Sequence, residues 1–249
     1  MTDRPRFRLH VAADLAAGVA LTLPKEQSHY LANVMRARVG EAVAVFNGRD
    51  GEWRAMVEAV AKNAVTLAVA AQTRPQATEP DLWLLVAPIK KDRVDLVAEK
   101  AAELGVSALW PVFTRRTVMS RVNTERLAAH MIEAAEQCER LTIPELREPV
   151  ALDKALAGWD AGRILLFLDE SGAGAPIADM LATLPAGPLA VLVGPEGGFD
   201  DHERALLATL PFARPVSLGP RILRAETAAI AALAVVQAVR GDWRLPPSR

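Results

Sequence analysis

The spacing of apolar and polar positions changes character part-way along the chain. Up to about residue 71 the apolar residues come in short runs separated by turn formers. Residues 41–46 (EAVAVF) alternate in part, Asn47-Gly48 supplies hairpin-turn chemistry, and Gly51 makes a second break. Residues 52–57 (EWRAMV) and 64–69 (AVTLAV) continue the pattern. These runs predict a small β-barrel, with one short helix over about 27–36. Residues 72–80 (QTRPQATEP) are polar, carry two prolines and have no period. They predict a linker and a division into domains at 1–72 and 73–249.

Beyond Pro80 the rhythm becomes that of strands alternating with helices. Residues 82–87 (LWLLVA) form a continuous apolar run, as a strand buried on both faces requires. Val94, Val97, Ala101 and Leu104 recur at helical spacing, and Gly105 stands where a left-handed C-cap belongs. Further strands are predicted at 108–112, 164–168, 189–193 and 216–218. A long helix is predicted at 123–140, with Asn123 as its N-cap. Asp200 and Glu203 have capping-box spacing, so another helix starts there. The most apolar helix, about 228–239, is too short to span a bilayer. This alternation argues for an α/β domain on a parallel sheet.

Composition narrows the functional classes. Half of the 249 residues (51%) are hydrophobic, enough for a sizeable core. The net charge of -1 is far from that of a protein that coats nucleic acid nonspecifically, so any RNA contact must come from local patches. Three patches are available: Arg4, Arg6 and Arg8 at alternate positions; Arg36 with Arg38; and Arg115, Arg116 and Arg121. Each reads equally well as a solvated charged face. Cys138 is the one cysteine, which fits a reducing compartment. His10, His29, His130 and His202 lack ligand spacing with it, so no metal is expected. With no signal core near the N-terminus, the expected location is the cytoplasm.

Parallel α/β sheets place ligands at the carboxyl ends of their strands. Here the strand ending at Val193 runs into Gly194-Pro195-Glu196-Gly197-Gly198. Glycines let a backbone take positive φ and approach a ligand closely, although a tight turn without a ligand has the same composition. The loop lacks the lysine and following hydroxyl residue of a phosphate-binding P-loop. A second strand end carries Leu218-Gly219-Pro220-Arg221-Ile222-Leu223-Arg224, just ahead of a helix start, where arginines reinforce an anion site. A third carries Leu168-Asp169-Glu170-Ser171-Gly172. The first strand of the sheet leads instead to Pro88-Ile89-Lys90-Lys91, without glycine, which argues against a dehydrogenase and an ordinary Rossmann methyltransferase.

Residues 192–199 (LVGPEGGF) and 218–228 (LGPRILRAETA) resemble the RsmE family of the SPOUT class of methyltransferases. Residues 99–105, 133–138, the N-terminal Arg6-Phe7 and His29-Tyr30-Leu31 extend the resemblance over nearly the whole chain. One departure is Glu139, where the family often has glycine. The resemblance implies a smaller N-terminal PUA-like β-barrel that helps bind RNA, and a C-terminal α/β domain whose parallel sheet is tied in a trefoil knot. It implies a homodimer that methylates N3 of a uridine in 16S ribosomal RNA of the small subunit, with S-adenosylmethionine as methyl donor. The donor would be held by Leu168, by Gly194, Pro195, Glu196, Gly197 and Gly198, and by Leu218, Gly219, Ile222 and Leu223.

The chemistry asks little else of the protein than alignment and charge stabilisation. Arg221 and Arg224 suit a developing anion, and Glu226 is the nearest carboxylate for a base, or else a first-turn helix acid favoured by the dipole. Arg4, Arg6, Arg8, Arg36, Arg115 and Arg116 are the expected RNA contacts. A ribose 2′-O methyltransferase of the same class and a non-catalytic RNA-binding dimer stay open as alternatives.

Overall fold

The computed structural model describes residues 5–246 apart from Asn63 and Ala173. The chain forms two compact bodies. One runs to Thr78 and also takes in Ala135–Ile143; the other consists of Glu79–Ala134 and the chain from Pro144 onward.

The first body contains β1 (Phe7–His10), β2 (Ala20–Thr22), α1 (Lys25–His29), β3 (Ala42–Phe46), β4 (Glu52–Val60) and β5 (Val65–Arg74). They make one sheet in the order β1-β3-β4-β5-β2, with only β1 and β3 parallel. Phe7, Leu9, Val43, Val45, Ala55, Val57, Val65, Leu67 and Val69 fill its core, the period of two expected of half-buried strands. The single helix expected over 27–36 is α1 followed by a π-helical turn, Tyr30–Val34, in which Met35 N–H donates to the Tyr30 carbonyl five residues back. That wide turn buries Leu31 completely and delivers Arg36 in a left-handed conformation, φ 58°. β5 runs on to Arg74, through the start of the expected linker.

The second body contains β6 (Leu82–Val86), α2 (Lys91–Glu103), β7 (Ala108–Phe113), α3 (Thr124–Cys138, its last turn belonging to the first body), β8 (Glu145–Leu146), β9 (Val150–Ala151), α4 (Leu152–Ala157), β10 (Ile164–Leu168), β11 (Ala175–Pro176), α5 (Ile177–Thr183), β12 (Leu189–Val193), α6 (Asp201–Thr209), β13 (Ala213–Ser217) and α7 (Ala225–Arg240). The sheet order is β11-β13-β10-β12-β6-β7-β8, with β9 also on β7, and every pairing is parallel. All of β12 is buried, as its unbroken apolar run predicts. The predicted caps form: Arg126 N–H bonds Asn123 Oδ1, Asp200 and Glu203 close a capping box, and Gly105 is left-handed after α2.

The last strand differs from its expected position. It covers Ala213–Ser217 rather than 216–218, so Leu218 already belongs to the loop. Arg214 and Pro215 disguise it in the sequence. Pro215 is tolerated because the outer neighbour, β11, is only two residues long and pairs with Val216 and Ser217.

Strand starts are pinned at the other edge. Arg163, buried at the head of β10, pairs with Asp81 at 2.5 Å, donates to the Leu189 carbonyl at 3.2 Å and lies 3.6 Å from the centroid of Trp83. One side chain thus fastens the heads of β6, β10 and β12, which fixes where their far ends emerge.

Candidate active site

Because the sheet is parallel, β13, β10 and β12 all end on the same edge, side by side. Leu168 aligns with Val216, and Phe167 with Leu192. The loops at 168–172, 194–198 and 218–224 therefore leave neighbouring strand ends, and the three expected strand-end loops form one cluster.

Each loop is shaped by local chemistry. Gly194 lies against the Phe199 ring, where an added Cβ would be only 3.2 Å from it, and Phe199 is fully buried. Gly198 N–H donates to the Pro195 carbonyl at 2.9 Å, closing a turn that holds Gly198 at φ 66°. Pro195 and Gly198 are buried, while Glu196 and Gly197 are exposed at the tip. In the neighbouring loop Asp169 is buried and accepts from Ser171 N–H at 3.0 Å and Ser171 Oγ at 2.6 Å. Gly219 takes φ 100°, with its N–H on Ser217 Oγ at 3.1 Å. Leu223 is half-buried and Ile222 is 88% exposed.

Side chains brace the loops from outside. Glu170 lies over Gly198 so closely that no Cβ fits there, and its Oε1 accepts from Arg204 Nη1 at 3.2 Å. Arg204 also bonds Asp201 at 2.8 Å, and that bond holds Asp201 below the usual carboxylate range and raises Arg204. From the end of β7, Arg116 Nη1 donates to the Gly197 carbonyl at 2.8 Å. Arg115 N–H donates to the buried Glu203 at 2.7 Å, and its Nε stands 3.5 Å from Asp200.

The charged residues expected to face the chemistry separate into two environments. Arg221 and Arg224 are exposed, with no acidic partner among the described residues. Glu226, in the first turn of α7, is buried; its Oε1 pairs with Arg93 of α2 at 3.3 Å, and its Oε2 has no hydrogen-bond partner.

The expected RNA contacts also divide. Arg6, Arg36 and Arg38 line one open groove of about 540 Å³ with Val34, Met35 and Glu41, so two sequence-separated patches become one. Arg8 is a correction. It is consumed inside its own body: Nε bonds Glu52 at 2.8 Å, Nη1 the Ala135 carbonyl at 2.7 Å, Nη2 the Arg140 carbonyl at 2.7 Å, and the guanidinium stacks 3.7 Å from the Phe46 centroid. Most of its donors and its charge are thereby used within the protein, so it is not a free RNA contact. Arg4 lies outside the described residues. Arg93, Arg204 and the closeness of Glu170 to Gly198 were missed from sequence; only the Asp201–Arg204 helical spacing gave a signal, and it reads as an ordinary surface pair.

The chain is similar to known proteins over nearly its whole length. Residues 77–237 match the family described as an RNA methyltransferase domain, and residues 23–70 match an RNA methyltransferase PUA domain. Ribosomal RNA small subunit methyltransferase E of Rickettsia conorii is 34% identical over 232 residues, covering 92% of this chain and 94% of its own. A methyltransferase of Legionella pneumophila, solved with bound S-adenosylmethionine, superposes with a TM-score of 0.87 at 34% identity over 96% of this chain and 99% of its own. Ribosomal RNA small subunit methyltransferase E of Neisseria gonorrhoeae, also bound to S-adenosylmethionine, gives 0.86 at 27% identity over 95% and 98%.

Proposed function

Since the chain belongs to the RNA methyltransferase family, we propose that it methylates N3 of a uridine in 16S ribosomal RNA, using S-adenosylmethionine and the loop cluster at the ends of β10, β12 and β13. The observation that carries this reading is the convergence of those three loops on neighbouring parallel strand ends.

The residues present fit the donor. Gly198 and Gly219 hold left-handed backbone, no atom stands within 4 Å of the position a Gly219 Cβ would take, and half-buried Leu223 offers apolar surface. Leu168, Gly194, Pro195, Glu196, Gly197, Gly198, Leu218, Gly219, Ile222 and Leu223 would hold it, mostly through backbone groups. S-adenosylmethionine supplies a methyl group already activated on a sulfonium. What remains for the protein is to align the acceptor and to manage the proton of uracil N3. Arg221 and Arg224, exposed beside the loops, stabilise negative charge on the ring and hold a flanking phosphate. Glu226, paired with Arg93 through Oε1, keeps its other carboxylate oxygen free of hydrogen bonds and is the carboxylate assigned to the N3 proton.

RNA is gripped at two places in this reading: the groove of Arg6, Arg36 and Arg38, and Arg115 and Arg116 beside the glycine turn. The acting form is a cytoplasmic homodimer. Ile222 and Val118, 88% and 92% exposed, are apolar residues that a second copy would cover.

Mass spectrometry of digested 16S ribosomal RNA tests the reading. A strain lacking the protein should lose one base methylation, restored by the wild-type chain. Arg221→Ala and Arg224→Ala should retain donor binding by calorimetry and lose transfer by about 100-fold. Loss of a ribose methylation instead, or full transfer by both variants, would refute the acceptor atom or the arginine roles respectively.

A further inference from the structure

We propose that Glu170 is a positioning residue for the donor, setting the Gly194–Gly198 turn against the loop that follows β10. The inference rests on the reading of these loops as the donor site. Glu170 belongs to one loop, lies over a glycine of the next, and is held by Arg204 from a third element, α6.

The geometry explains why Gly198 has no side chain on two independent counts. Its φ of 66° strains any L-residue, and the carboxylate of Glu170 fills the place a Cβ would take. The turn beneath is closed by the 2.9 Å bond from Gly198 N–H to the Pro195 carbonyl. A carboxylate braced on top of that turn resists its opening toward solvent. Arg204 is itself aimed by Asp201, one turn earlier on the same face of α6.

Stability does not account for this assembly. Glu170 and Arg204 are 38% and 27% exposed at the side chain, and ion pairs so open to water add little to folding. Their effect belongs to the shape of the loop, where small displacements of a binding group are costly. The donor should feel it before the fold does.

Calorimetric titration with S-adenosylmethionine, steady-state transfer and thermal melting, run on the full-length chain, separate the possibilities. Glu170→Ala should weaken donor binding about tenfold or more, raising KM with little change in kcat and none in melting temperature. Glu170→Gln keeps an acceptor for Arg204 and should recover most of the affinity. Arg204→Ala should resemble Glu170→Ala, and the double variant should be no worse than either, because both act through one contact. Gly219→Ala, which strains the neighbouring loop without meeting any atom, is the reference for the site itself. Normal affinity in Glu170→Ala beside weakened affinity in Gly219→Ala would overturn the role of Glu170 and leave the donor site standing. Normal affinity in both would overturn the donor site and this inference with it. Equal losses in Glu170→Ala and Glu170→Gln, accompanied by lower melting temperatures, would make the contact merely structural.

Discussion

Glu139 carries a backbone strain that the sequence alone only hints at. It follows α3 in the left-handed region, φ 65°, where helices commonly end on glycine, and its carbonyl accepts from Arg74 at 2.8 Å. The residue that follows, Arg140, places its carbonyl on Arg8 Nη2 at 2.7 Å. The resembling family often answers this demand with glycine; here a glutamate bears it. Glu139→Gly should therefore stabilise the protein by about 0.5–1 kcal/mol, the relief being partly offset by the freer unfolded chain. A higher midpoint in urea at unchanged slope would bear this out, and a lower one would show that side-chain contacts of Glu139 outweigh the strain. Arg8 gives the complementary lesson. Arg6 and Arg8 stand at alternate positions and read alike in the sequence, yet Arg8 is covered by residues some 127–132 positions away. Nothing local distinguishes a solvated arginine from one awaiting such a partner.

At the scale of elements, what was legible followed strength of pattern. β10 and β12 fell on their predicted residues because an unbroken apolar run bounded by charged residues or by glycine and proline has few other readings. The helix starts at Asn123 and Asp200 were legible because capping is local chemistry. The two-residue strands β8, β9 and β11 were not, since two residues carry no period. The three strand-end loops were legible as glycine-bearing turns, but their adjacency needed the sheet order. That order depends on the strand heads, where Arg163 grips Asp81. Burial works against the ionised form of Asp81, yet the hydrogen bond and charge of Arg163, with help from Ser107, hold its carboxyl below its usual value of 3.8. A carboxylate depressed in the folded state contributes stability that is fully present above the unfolded value and lost as pH falls through the folded one. Asp81→Asn should accordingly cost about 1–2 kcal/mol at neutral pH, discounted because Asp81 is half exposed, and the cost should shrink below about pH 4. Urea unfolding of both forms between pH 3 and pH 7 checks the sign; a cost that grew on acidification would refute it.

For the molecule as a whole, charge is the quantity that constrains RNA binding. A net charge of -1 supplies no general attraction to a polyanion, so affinity must come from a few phosphates met by local arginines. The groove formed by Arg6, Arg36 and Arg38 is one such place away from the loops, and it includes an acid, Glu41, that limits how strongly it holds an anion of any kind. Arg36 is again left-handed, φ 58°, and exposed. The left-handed turn closes the helix end, with Ala37 N–H on the Leu31 carbonyl at 3.0 Å, a place that glycine would fill without strain. Arg36→Gly removes the charge and relieves the backbone together, and the two effects are told apart by measuring RNA binding and stability on the same variant. It should leave folding stability unchanged or higher while weakening RNA binding. The slope of log affinity against log salt should fall by about 0.7–0.9, the value for one lost phosphate contact on single-stranded or duplex nucleic acid. Filter binding of a small-subunit RNA fragment across a salt series measures that slope. If it is unchanged while the protein stays folded, the groove does not lie on RNA, and the contacts must be sought among Arg115, Arg116, Arg221 and Arg224 beside the loops.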